Sequence, residues 1–98
     1  MAEIVWTEPA LQDLDAIADY IALENPAAAS ALVARIFGHA EQLEAFPESG
    51  GTVPELEGTR YRQIVEPPCR IFYRLDGQNV FVLHVMRTER LLRKDKLR

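Results

Sequence analysis

A single cysteine, Cys69, in 98 residues leaves no partner for an intramolecular disulfide, so no covalent staple holds the fold. One cysteine and two distant histidines, His39 and His84, fall short of the clustered ligands that zinc requires, and no metal is expected. The five glycines form no phosphate-cradling loop and no Gly-x-Ser-x-Gly elbow, which excludes the common nucleotide and serine-hydrolase signatures and leaves no cofactor expected. No window approaches the roughly eighteen uninterrupted apolar residues of a membrane span. The start, MAEIVWTEPA, lacks the basic and then apolar order of a signal peptide. Together with the cysteine usage, this suits a reducing cytoplasm.

Basic residues are nearly missing from the first part of the chain. Residues 1–58 hold one, Arg35, against eleven acids, a net of −10, whereas residues 59–98 hold ten against four, a net of +6. Such asymmetry marks a half that faces a polyanion or an acidic partner. Lysine is scarce as well: eight of the ten basic residues in the second part are arginines. The apolar fraction of 48% and charged fraction of 27% are those of an ordinary globular protein, and the length predicts one domain over residues 1–98.

The pattern predicts an α+β fold: an N-terminal strand, an antiparallel helix hairpin, a three-stranded antiparallel meander and a basic C-terminal segment. Glu3-Ile4-Val5-Trp6 is a β-prone run, and Thr7 is suited to cap a following helix. From Glu8 the apolar residues Leu11, Leu14, Ile17, Ala18 and Ile21 recur at helical spacing, with Asp13, Asp15 and Asp19 expected on an acidic outer face. Asn25-Pro26 ends this helix and starts another over about residues 27–45, carrying the stripe Leu32, Ile36, Ala40 and Leu43. Pro47, Gly50, Gly51, Pro54 and Gly58 then predict an irregular loop of about a dozen residues.

Three β-rich runs follow: residues 61–65, 69–75 and 80–86. Pro67-Pro68 separates the first two and Asp76-Gly77, a hairpin turn signal, separates the last two. The third run is apolar at nearly every position, as in a strand covered on both faces, and is expected beside the N-terminal strand. Residues 88–98 read as a basic terminal helix or tail.

Arg60, Arg62, Arg70, Arg74, Arg87, Arg90, Arg93 and Lys94 are the candidate binding residues for a target or partner, interleaved with Tyr61, Phe72, Tyr73 and Phe81. Guanidinium groups make bidentate contacts with phosphate or carboxylate and stack on rings. A solvated face is the plain alternative. Alternation puts Arg70, Phe72 and Arg74 on one face, and a hairpin at Pro67-Pro68 would bring Arg62 near Arg70 across the ladder. His84, between Val82 and Met86 on its own face, is read as a core or edge histidine or, alternatively, as a proton shuttle. Cys69 is treated as packing.

The order of these elements, carried by Trp6-Thr7-Glu8-Pro9-Ala10, Asp13-Leu14, Tyr61-Arg62, Cys69-Arg70-Ile71-Phe72-Tyr73 and His84-Val85-Met86-Arg87, resembles the ParE/RelE superfamily of bacterial toxins over nearly the whole chain. The resemblance implies a helix hairpin packed on a twisted antiparallel sheet, and a cognate antitoxin protein that wraps the toxin into a hetero-oligomer and neutralises it. It also implies one of two activities: ParE-like members poison DNA gyrase without a known nuclease step, and RelE-like members cut messenger RNA on the ribosome. By similarity Arg62, Arg70 and Arg87 look like basic positions that RelE-like toxins use around the scissile phosphate, and on that reading His84 or Arg87 would serve as a substitute proton-transfer or charge-stabilising group. RelE-like sites usually add basic residues ahead of the sheet, where this chain has Glu55 and Glu57, and a tyrosine in the terminal segment, whereas Tyr20, Tyr61 and Tyr73 all precede the last strand. The resemblance therefore favours the ParE-like branch, which needs no catalytic residue.

Overall fold

Two short polar side chains set where the helices begin. The Thr7 hydroxyl accepts from the Ala10 amide and the Asn25 carboxamide oxygen accepts from the Ala28 amide, each satisfying a donor that the first helical turn leaves without a partner. The computed structural model, which describes residues 2–56 and 58–88, accordingly runs from β1 (Glu3–Trp6) into α1 (Glu8–Ala22) and α2 (Pro26–Gln42), each helix opening with a proline in its first turn. The second helix ends three residues before the sequence pattern predicts, because the amides of Leu43, Glu44 and Ala45 bond three residues back, to Ala40, Glu41 and Gln42, and tighten residues 43–45 into turns.

The long loop is more ordered than its prolines and glycines suggest. It contains a two-residue strand, β2 (Gly51–Thr52), and a single turn of 3-10 helix at Pro54–Leu56. Neither element is long enough to show a period; β2 exists because it pairs with Arg62 and Gln63. The meander then follows as β3 (Tyr61–Glu66), β4 (Cys69–Asp76) and β5 (Asn79–Arg87). The Pro67-Pro68 bond is cis and the two prolines close a tight hairpin in which Glu66 faces Cys69. At the next turn the strands extend as far as Asp76 and Asn79, so the two linking residues are Gly77 and Gln78, with Gly77 alone at positive φ (+64°), the pattern of a type II′ hairpin.

The sheet has the order β1-β5-β4-β3-β2, with β1 parallel to β5 and the other pairs antiparallel. The mixed sheet and helix pair make the α+β fold expected from the sequence. Both helices cover one face, where Ala10, Leu14, Leu32, Ile36, Cys69, Ile71, Val82 and Val85 form the main core; Cys69 is a buried thiol within it. On the opposite face Val53 and Leu56 pack on Phe72 and Met86, so the 3-10 turn is a partial lid on the side that the helices leave open. Among the described residues no helix is long and apolar enough to cross a membrane.

Tyr73 ties the loop to the helical face. Fully buried, its hydroxyl accepts from the Gly50 amide at 2.9 Å and donates to the Pro47 carbonyl at 2.9 Å. Burial, the largest influence, pushes the phenol above its ordinary pKa, which keeps the proton it donates. A Cβ at position 50 would collide with this ring and with the Gln63 carbonyl at 2.8 Å. Gly50→Ala is therefore expected to lower stability by about 1–3 kcal/mol, read as a lower midpoint in urea at an unchanged slope.

A second tie joins α2 to the end of β3. Arg35 and His39, one helical turn apart, converge on Glu66, with His39 Nε2 2.7 Å from its carboxylate. The hydrogen bond from His39, and next that from Arg35, hold the Glu66 carboxyl below its ordinary value of 4.5. A carboxyl depressed on folding contributes stability above its unfolded pKa and loses it as pH falls through the folded one. Stability should thus decline below about pH 4.5 with a component that Glu66→Gln removes; equal acid limbs for the two proteins in denaturant titrations would refute it.

Candidate functional site

The arginines picked out by the sequence do not form one surface. Arg70 and Arg74 share the open face with Phe72, as alternation requires. Arg70 lies 4.7 Å from the Phe72 ring centre and Arg74 5.2 Å from that of Phe81, its partner across the ladder. Arg62 corrects the expectation that it would sit beside Arg70. It pairs with Tyr73, while Arg70 pairs with Val65, and an odd offset between positions 62 and 65 puts the two side chains on opposite faces. The Arg62 guanidinium instead donates to the Glu48 and Gly50 carbonyls at 3.0 and 2.9 Å, bracing the loop that Tyr73 holds.

Arg87 is also turned away from Arg70. It faces Cys69, which belongs to the helical-side core, and its guanidinium stands 5.2 Å from the ring centre of Tyr20 on α1. Arg60 lies exposed just before β3. Arg90, Arg93, Lys94 and the terminal helix or tail lie outside the described residues. The Arg74 Nε is buried without a hydrogen-bond partner among the described residues, and its Nη2 reaches Asp76 only at 4.0 Å.

On the open face, the feature that sequence reasoning missed is an internal ion pair. Arg70 donates through both terminal nitrogens to the Glu55 carboxylate, at 2.8 and 2.7 Å, and through Nε to the Gln63 side chain at 2.9 Å. Glu55 comes from the 3-10 turn, fifteen residues earlier in an aperiodic stretch, so no local spacing signals the contact.

His84 is placed by a defect in the sheet. The register between β4 and β5 shifts at Phe72 and Tyr73, which face His84 and Val82 and leave Leu83 as an extra residue. Val82 therefore belongs to the helical-side core and Met86 to the opposite one, and His84 does not lie between them on a common face. Beyond this point β1 no longer pairs with β5, and polar groups from the start of α1 take over: the Thr7 hydroxyl donates to the Val82 carbonyl at 2.7 Å, and the Asp13 carboxylate accepts from the Val85 amide at 3.1 Å and lies 2.8 Å from His84 Nδ1. Asp13 is thus half-buried against β5 and not on the acidic outer face. The signal was present in its spacing, three residues after Ala10 and four before Ile17, on the margin of the apolar stripe. A groove of about 400 Å³ runs along this seam, lined by Asp13, Ile17, Tyr20, Met86 and Arg87 among others.

Chemically, the site offers one chelated guanidinium, one histidine oriented by a carboxylate, and two further arginines on the far side. Among the described residues no three metal-ligating side chains come together.

Comparison with known proteins gives the class to which this architecture belongs. Residues 4–92 match the family described as the ParE toxin of the type II toxin-antitoxin system parDE, and the chain belongs to that family. It is 36% identical over 91 residues to Toxin RelE2 of Caulobacter vibrioides, covering 93% of this chain and all of the relative. Among solved structures it resembles a chain of the chromosomal ParDE toxin-antitoxin system from P. aeruginosa, with a TM-score of 0.75, 30% identity and coverage of 91% of this chain and 98% of that one. The RelBE2 toxin-antitoxin complex of Mycobacterium tuberculosis shares the fold, with a TM-score of 0.58, 23% identity and coverage of 88% and 96%. This chain is a type II toxin of the ParE/RelE superfamily.

The Asp13 contacts yield a direct test. Asp13→Ala removes the acceptor of the Val85 amide and the partner of His84, and a loss of about 1–2 kcal/mol is expected. Amide exchange at Val85 should accelerate while that at Ile71, whose amide faces β3, stays slow; unchanged exchange at Val85 would show that the carboxylate does not secure the strand.

Proposed function

We propose that this protein arrests bacterial growth by binding and poisoning DNA gyrase in the cytoplasm, and that a cognate antitoxin protein neutralises it in a hetero-oligomer. The observation carrying this reading is the separation of the cations. Cleavage of a phosphodiester needs charge-stabilising and proton-transfer groups converging on one phosphate. Here Arg62 and Arg70 lie on opposite sheet faces, Arg62 braces a loop, and Arg70 is chelated by Glu55. A toxin acting by occupancy of its target needs a surface and no catalytic constellation. The likeness to a chain of the P. aeruginosa ParDE system supports both the branch and the antitoxin, and the chain's acid-poor, arginine-rich second part suits an acidic partner segment laid across it.

The likeness to Toxin RelE2 favours a second reading, a ribosome-dependent messenger RNA endoribonuclease using Arg62, Arg70, His84 and Arg87. The two separate cleanly. Purified protein is expected to inhibit gyrase supercoiling or trap cleaved DNA complexes at micromolar concentration, and addition of the antitoxin encoded by the neighbouring gene should restore activity. Codon-position cleavage in a translating extract, with gyrase untouched, would transfer the assignment to the nuclease. Absence of growth arrest on expression would mark an inactive relic.

A further inference from the structure

Arg70 is the one charged residue that is buried among those described, at 8% exposure. Its environment forms a receptor for a planar carboxylate: two terminal nitrogens aligned on two oxygens, Nε oriented by Gln63, and the Phe72 ring stacked at 4.7 Å. The carboxylate that fills it belongs to Glu55, on a single 3-10 turn seated on the open face by Val53 and Leu56. A cleft of about 440 Å³ opens on the pair, lined by Pro54, Glu55, Gln63, Arg70 and Thr88.

We propose that this cleft is a docking site for an acidic side chain of a protein partner, and that Glu55 is an internal stand-in which the partner must displace from Arg70. Exchanging one carboxylate for another conserves both hydrogen bonds to Arg70, so the guanidinium meets little desolvation cost beyond that already met in the folded chain. Among the described residues the lining contains one cation and would retain the displaced Glu55, which suits a single carboxylate better than a polyphosphate strand, whose recognition draws on several cations at once. An internal competitor lowers the partner's apparent affinity by the fraction of molecules in which the site is open. Occupancy would then require a segment whose other contacts hold the acid in place, which makes Glu55 a filter against unattached acidic chains. The partner's identity rests on the toxin reading given above, whereas the displacement itself does not.

The test compares binding of a fluorescent peptide of alternating glutamate and alanine to the full chain and to Glu55→Gln, which preserves size and removes the charge. Glu55→Gln should bind about fivefold tighter, the scale of one partly exposed ion pair. Glu41→Gln, the same charge change on an exposed position of α2, should leave binding unchanged, and Arg70→Gln should abolish the gain when combined with Glu55→Gln. Because Glu55→Gln could weaken the fold, its melting temperature is measured with and without peptide: a larger peptide-induced rise than in the parent supports displacement. Equal affinities for parent and Glu55→Gln, a gain equally produced by Glu41→Gln, or a preference of Glu55→Gln for single-stranded oligouridylate over the peptide would overturn it. If the peptide result holds while Arg70→Gln arrests growth as strongly as the parent, the switch stands and the role of Arg70 in toxicity falls. Loss of arrest in Arg70→Gln without tighter peptide binding in Glu55→Gln overturns the displacement and leaves the toxin reading intact.

Discussion

β5 changes its neighbour halfway along its length, and the placement of every candidate group on its outer half follows from that. Over Asn79–Val82 it is flanked by β1. Past Val82 the chain of β1 has turned into α1, so the strand's outward polar groups need other partners. Thr7 and Asp13 supply them, one residue capping the helix and hydrogen-bonding the strand, the other reaching back from the second helical turn. The extra residue at Leu83 sits at this handover, and it moves His84 to the Asp13 carboxylate and Arg87 to Tyr20. Bulges often re-aim side chains where pairing ends.

The charges illustrate how little a net value says about a surface. Ten cations in residues 59–98 suggest a single basic face, yet the described ones on the strands are dispersed by the pleat, and each meets a different local group. Arg62 meets backbone carbonyls, Arg70 meets Glu55, and Arg74 and Arg87 lie over aromatic rings. Burial explains the most demanding of these pairings. A guanidinium held at 8% exposure has lost much of its water and requires a charged, geometrically matched partner, which the acidic first part of the chain provides through the loop. The acid-rich part of the sequence is therefore more than a solvated helical coat; Glu55 and Asp13 are working members of the sheet half's electrostatics.

Membership in the ParE/RelE superfamily does not by itself fix an activity. Superfamily folds carry different activities on one scaffold, and only the site discriminates among them. Among the described residues Arg62 and Arg70 lie on opposite faces of the sheet and His84 meets Asp13 at its edge.

What could be read directly from the residues was whatever depends on short-range periodicity and local backbone chemistry: Thr7 and Asn25 as caps, Leu32, Ile36, Ala40 and Leu43 as one buried stripe, the two hairpins, and β5 beside β1. These follow from a side chain's position relative to neighbours two, three or four residues away. The face on which Arg62 falls, the order hidden in the long loop, and the contacts Glu55–Arg70, Asp13–His84 and Arg35–His39–Glu66 depend on strand register and on loop placement, quantities set by long-range pairing and packing that local spacing does not encode. A one-residue offset reverses a side chain's face, and a contact spanning fifteen or seventy-one residues exists only once the sheet has assembled, so the composition supplied the arginines and the tertiary structure chose their partners.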